Sequence, residues 1–196
     1  MPSLPGVRRL FVGKKFSADS GKLPLIFRFE IPSCYKTRFI CVWNGWKAGS
    51  TFTFMACLCE RMYPNYAMFC KQTEFGDGQI YRRILDLIWE TLTVKDAKVN
   101  FDSQLEKFEE AIPAADDYDL YGVYPAIDAC VALSELIHSR LSGETLEHAI
   151  EVSKTSITTV AMLEMTQTGR EMTDEELKKN PAVEQEWIFS GKYSDF

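Results

Sequence analysis

From residue 52 onward the apolar positions recur with a helical period, and Gly and Pro punctuate them where helices should break. Residues 52–63 are apolar or small, and Pro64, which lacks the N–H that a helix interior needs, is expected to end or kink that helix. Residues 65–71 predict a second short helix, closed by the loop 75–78. Asp77 is placed to cap the next helix, which runs to about Val94. In it Ile80, Ile84, Ile88 and Leu92 form one stripe, and Tyr81, Leu85 and Trp89 an adjacent one. Arg82, Asp86 and Glu90 fall on the opposite face at i, i+4, where such pairs add about 0.2–0.5 kcal/mol each.

The pattern continues with Asn100, a cap for a helix carrying Phe101, Leu105, Phe108 and Ile112 on one side and stopped by Pro113. An acidic stretch, 114–121, leads to Gly122 and to Pro125 in the first turn of a helix over 125–141. That helix is nearly all apolar or small as far as Leu133, so it is predicted to be central. Ser142 and Gly143 turn the chain into a helix over 144–167. Its run 155–160 is rich in β-branched residues and favours a strand by propensity. No turn signal separates it from the periodic residues before it, so it reads as helix. Thr173 and Glu176 have capping-box spacing and open a last helix, interrupted at Asn180 and Pro181. The predicted fold is all-α: a single-domain helical bundle over 51–187, with a basic aperiodic segment at 1–50 and an irregular tail at 188–196.

Composition changes this picture little. At 196 residues, 46% hydrophobic and 26% charged, the chain is neither a collagen-like repeat, nor a coiled-coil rod, nor too polar to fold. Charge adds more. Residues 1–50 hold nine Lys or Arg against two acids, Asp19 and Glu30, so they carry +7 and the remainder −13 of the overall −6. A basic arm on an acidic body is one pattern of nucleic-acid binding, and its aromatic residues Phe27, Phe29, Tyr35, Phe39, Trp43 and Trp46 would stack on single strands. No apolar stretch approaches the roughly 20 residues of a membrane span, and no secretory h-region is visible, so a cytoplasmic setting is expected. Six cysteines in a chain of this length make no disulfide scaffold. Cys57 and Cys59, two positions apart on one helix, point to nearly opposite faces and read as buried reduced thiols.

One constellation suggests chemistry. Glu135-x-x-His138 on the central helix has the spacing of the Glu-x-x-His motifs that build carboxylate-bridged di-metal sites in helical bundles. Such sites use the motif twice, and here the other histidine gives the reversed His148-x-x-Glu151, with Glu144 a turn earlier. Glu60 or Glu90 would have to complete the site. Pairing at the surface is therefore preferred to a divalent metal, and no cofactor is expected. Asp128 lies on the same apolar helix with Glu135 and Ser139 on its side, and a buried carboxylate there needs a partner. Tyr121 or Tyr124 could supply a hydroxyl, and Arg82 or Arg83 a charge. Gly76-Asp77-Gly78 has no strand before it and no Lys-Ser/Thr after it, so it reads as a turn rather than a phosphate loop. The hydroxyls Ser153, Thr155, Ser156, Thr158 and Thr159 lack a triad pattern and read as helix packing.

Four strings in the chain are long and specific: FMACLCERMYPNY from Phe54 to Tyr66, FGDGQIYRR from Phe75 to Arg83, YGVYPAIDAC from Tyr121 to Cys130, and AMLEM from Ala161 to Met165. Together they resemble the YjaG-like proteins of bacteria over residues 52–187, roughly two-thirds of the chain. The resemblance implies an all-helical cytoplasmic protein of unknown function and carries no catalytic residues across. Both ends depart from the family, which begins with a short helical lead and continues as a long polar helix. An altered reading of the gene is the expected origin of these ends, with a divergent fusion as the alternative. The function expected from all of this is a non-enzymatic interaction or regulatory module, bound to a protein partner or to a second copy of itself. The alternatives are a metal-carboxylate bundle enzyme using Glu135 and His138, and a nucleic-acid accessory protein using the basic N-terminal segment.

Overall fold

The computed structural model of the protein describes residues 50–191, so the expectations placed on the basic segment 1–49 and on residues 192–196 lie outside the described residues. Among the described residues there are seven α-helices and no strand, the all-α fold that the periodicity predicts. They are α1 (Ser50–Thr73), α2 (Ile80–Thr93), α3 (Phe101–Glu109), α4 (Val123–Ser142), α5 (Thr145–Thr168), α6 (Asp174–Lys179) and α7 (Pro181–Gly191), with a 3-10 turn at Ala115–Asp117. Contacts divide the chain into two compact units, and the division falls inside α5, between Ser156 and Ile157.

In the unit described by residues 50–156, α1 packs chiefly on α4, while α2 lies against α1, and α3 touches both α2 and α4. The expected break at Pro64 does not occur: α1 runs through it as one helix of 24 residues and absorbs the short helix predicted at 65–71. Pro64 leaves the Glu60 carbonyl without its helical N–H, but its ring sits on the exposed side. Met62, Tyr66 and Phe69 on the inner side are buried, and Tyr66 Oη donates to the Ala111 carbonyl at 3.1 Å. Burial of that face, with about 1.5–3 kcal/mol for each large side chain, outweighs one lost hydrogen bond.

The boundaries of α2 and α3 follow their caps. Asp77 sits two residues before the α2 N-cap position, Gln79, yet does the capping: its Oδ1 accepts the Gln79 N–H at 2.9 Å and its carbonyl the Ile80 N–H at 3.0 Å. Asn100 caps α3 by accepting the Ser103 N–H at 3.1 Å. That helix ends at Glu109, short of Pro113, and Ala111 and Ile112 close it with tighter i−3 bonds. Tyr81, Ile84, Leu85 and Ile88 of α2 and Phe108 of α3 are buried, with Tyr81 and Phe108 in edge-to-face contact at 5.9 Å.

As its composition predicts, α4 is central. Ala126, Ala129, Cys130, Ala132, Leu133, Leu136 and Ile137 have no exposed surface. The helix starts at Val123, two residues earlier than expected; Pro125 is still within the first turn, where N–H groups have no helical acceptor. Gly143 ends it with φ +78°, the left-handed conformation that costs glycine nothing, and its N–H returns to the Ser139 carbonyl at 3.1 Å. The β-branched run of α5 is helical, as its context indicates.

In the unit described by residues 157–191, the end of α5 contributes buried Ala161, Met162, Leu163 and Met165, and Leu177 and Val183 are buried as well. The capping box is present: Thr173 Oγ1 accepts the Glu176 N–H at 3.3 Å, and Glu176 Oε2 accepts the Thr173 N–H at 2.9 Å. The predicted interruption becomes a junction, where Asn180 Oδ1 accepts the N–H groups of Ala182 and Val183 and Pro181 opens α7. Residues 188–191, expected to be irregular, continue that helix.

Candidate functional site

The αL turn at Gly143 folds the first turns of α5 back beside the last turns of α4, and this brings together residues that the sequence pairs differently. Glu135, matched with His138 by the i, i+3 spacing, instead meets His148: His148 Nδ1 and Glu135 Oε2 are 2.6 Å apart. The His138 ring stacks on that of His148, with centroids 6.4 Å apart and planes 16° apart. The far side of His148 faces Ser142, whose Oγ is 3.4 Å from Nε2 and accepts the Glu144 N–H at 3.1 Å.

For a neutral His148 ring the partners assign the proton positions. A carboxylate only accepts, so Nδ1 of the neutral ring carries the hydrogen and donates to Glu135. Nε2 is then the acceptor, and Ser142, whose oxygen already receives an amide hydrogen, donates its hydroxyl to it. The result is a directed chain from Ser142 through His148 to Glu135. The side chains of His148 and Glu135 are 21% and 30% exposed, so solvent reaches this chain.

The other candidates fall elsewhere. Asp128 is half-buried on α4, seven residues from Glu135 and so about 10 Å away along the axis. The rings of Tyr121 and Tyr124 are 6.0 Å apart. Among the described residues no group of three or more His, Cys, Asp or Glu is arranged to hold a metal ion. Gly76-Asp77-Gly78 is the α2 capping turn, and Arg83 pairs there with Asp77 at 2.7 Å. Thr155 donates to the Glu151 carbonyl, and Glu151 pairs with Lys154 at 2.6 Å.

One cluster escapes the periodicity. Glu60 on α1 holds both arms of Arg82 at 2.7 Å and accepts the Trp89 indole N–H at 2.6 Å. Arg82 also reaches Asp86 at 3.0 Å and lies 5.5 Å from the Tyr63 ring centroid. Burial disfavours its charge, but the two carboxylates more than offset that and raise its pKa. The chemistry of the cluster is that of a clamp between α1 and α2. An open cleft of about 440 Å³ lies where α2 gives way to α3, lined by Thr91, Lys98, Asn100, Phe101 and Arg140 among others.

The chain belongs to the family described as "Protein of unknown function (DUF416)", whose model matches residues 45–195. It is similar to "Uncharacterized protein YjaG" of Salmonella typhimurium, at 98% identity over 135 residues and 69% of each chain. The protein of the same description from Escherichia coli K12 is 93% identical over 135 residues, again 69% of each chain. An uncharacterized protein of Haemophilus influenzae is 50% identical over 135 residues, 68% of this chain and 69% of that one. Among solved structures, the crystal structure of a DUF416 family protein from Shewanella baltica matches with a TM-score of 0.67 at 32% identity, over 76% of this chain and 77% of that one. The relatives bear out the resemblance carried by the four strings.

Proposed function

We propose that this member of the DUF416 family is a helical interaction module whose partner binds the outer face of the first turns of α5. The observation that carries the reading is the exposure of large aliphatic side chains at one elbow. Leu146 is 69% exposed, Ile150 45%, and Leu141, just before the turn, 41%. Single exposed aliphatics are ordinary, but Leu146 and Ile150 stand one helical turn apart on the same stripe.

Glu144, Glu147 and Glu151 are exposed on the rim around them, and Glu151 is paired with Lys154. Such a surface fits an amphipathic helix that sets apolar residues at i, i+4 against Leu146 and Ile150 and brings Lys or Arg to the rim. We place this activity in the cytosol, where Cys57, Cys59, Cys70 and Cys130, all free thiols, would stay reduced.

The test is a photo-crosslinking residue at Leu146 of the full chain, expressed in a bacterial host, beside the same residue at exposed Asp116. A discrete protein adduct from position 146, lost on Ile150→Glu and not formed from position 116, is the expected result. Equal adducts from both positions, or none from 146, would refute the reading.

A further inference from the structure

We propose that Ser142 is a nucleophile that accepts acyl groups from small activated esters, with His148 as its general base and Glu135 as the residue that positions that base. The inference goes beyond the interaction reading and does not depend on it. It rests on the order of the three groups. Glu135 receives Nδ1–H of His148 at 2.6 Å, which leaves Nε2 as the free base and turns it toward Ser142 Oγ, 3.4 Å away. That is the connectivity of carboxylate, imidazole and hydroxyl that activates serine in acyl transfer, with the serine contact at the longer range usual before a substrate tightens it.

Two further features act on the oxygen. The Glu144 amide donates to Ser142 Oγ at 3.1 Å and stabilises negative charge as the O–H bond weakens. The first-turn amides of α5 follow within a few residues and have no acceptor within the helix. Ser142 itself is exposed. The substrate class is therefore small and already activated, since an exposed serine offers little surface to bind and strain an ordinary ester.

The step balances without a cofactor. Oγ bonds to the ester carbonyl carbon as its proton passes to His148 Nε2. The bond from that carbon to the leaving oxygen then breaks, and the proton goes to the departing alcohol. Water, deprotonated by Nε2, attacks the acyl-serine, releases the acid and restores the Ser142 hydroxyl.

The experiment treats the full chain with a fluorophosphonate probe and, separately, with p-nitrophenyl acetate, and locates the modified residue by peptide mass spectrometry. Ser142 should be modified roughly tenfold or more faster in the folded chain than in urea. His148→Ala should slow this by a similar factor, and added imidazole should restore part of the rate. Where His148→Ala loses helicity by circular dichroism, His148→Asn takes its place. Glu135→Gln, which keeps the shape but removes the charge, should slow modification severalfold with the melting temperature unchanged. An unmodified Ser142, a rate equal to that of the unfolded chain, or a rate indifferent to His148 would overturn the proposal.

Discussion

Glu60 and Arg82, 22 residues apart in the chain, meet as a two-armed ion pair with both contacts at 2.7 Å, and the pair ties α1 to α2. Their side chains are 11% and 17% exposed, so each shields the other from the cost of partial burial. Glu60→Leu leaves Arg82 with Asp86 and the Tyr63 ring and strands the Trp89 indole N–H. It should lower stability by about 2–3 kcal/mol in urea unfolding. Adding Arg82→Met should recover more than half of that loss, because two apolar groups need no partner. A double variant no better than the single one would show that the clamp is not the source of the effect.

Leu133→Ala should cost about 2–5 kcal/mol, since Leu133 is fully buried on the helix that α1 packs against and the cavity would have little room to collapse. A loss below about 0.5 kcal/mol, the scale of surface changes, would contradict that placement.

Glu176 is held by the Arg170 guanidinium at 2.8 Å and by the backbone and hydroxyl of Thr173, which together lower its pKa from 4.5 to about 2. A folded-state pKa below the unfolded one means that the contribution is present above about pH 4.5 and is lost as pH falls toward 2. Carboxyl NMR should place the Glu176 midpoint near 2, and Arg170→Ala should move it upward. A midpoint near 4.5 in the parent chain would show that the box does not hold the charge.

Burial pushes the Cys57 thiol up to about 12, helped by nearby Glu60, and carries Cys59 and Cys130 well above the ordinary range. The thiolate is the reactive form, so these cysteines should resist iodoacetamide at pH 8 until the chain is unfolded. Peptide mapping of the alkylated protein before and after addition of urea checks it. Labelling of Cys59 or Cys130 at the unfolded rate in the native chain would be incompatible with this packing.

The helices were legible because their signals are local. Tyr81, Ile84, Leu85 and Ile88 repeat on one face, Asn100 and Thr173 announce starts, and Gly143 announces a stop. Pro64 misled because its cost is local while the gain that overrides it, the buried face of Tyr66 and Phe69, is tertiary. The same division explains the site. Spacing within one helix suggested Glu135 with His138, but the contact that forms, with His148, crosses the turn. A signal was present: Glu135 stands eight residues before Gly143 and His148 five after it, so a hairpin at that glycine brings them face to face. Arg82 was matched with Asp86 and Glu90 along its own helix or offered to Asp128, since nothing along the chain tells which residue of α1 would face it.

The pairing of α1 with α4 sets a timetable for the chain as it is made. The partner of α1 is complete only when Ser142 has been added, 69 residues after Thr73. At about 5–20 residues per second, that leaves α1 waiting for roughly 3–14 s after its own synthesis. Through that interval Met55, Leu58, Tyr66 and Phe69 lack the helix that α1 chiefly packs against, with only α2 beside them. The nascent chain thus presents a long sticky helix to whatever stands at the ribosome exit, and a chaperone there should engage it first.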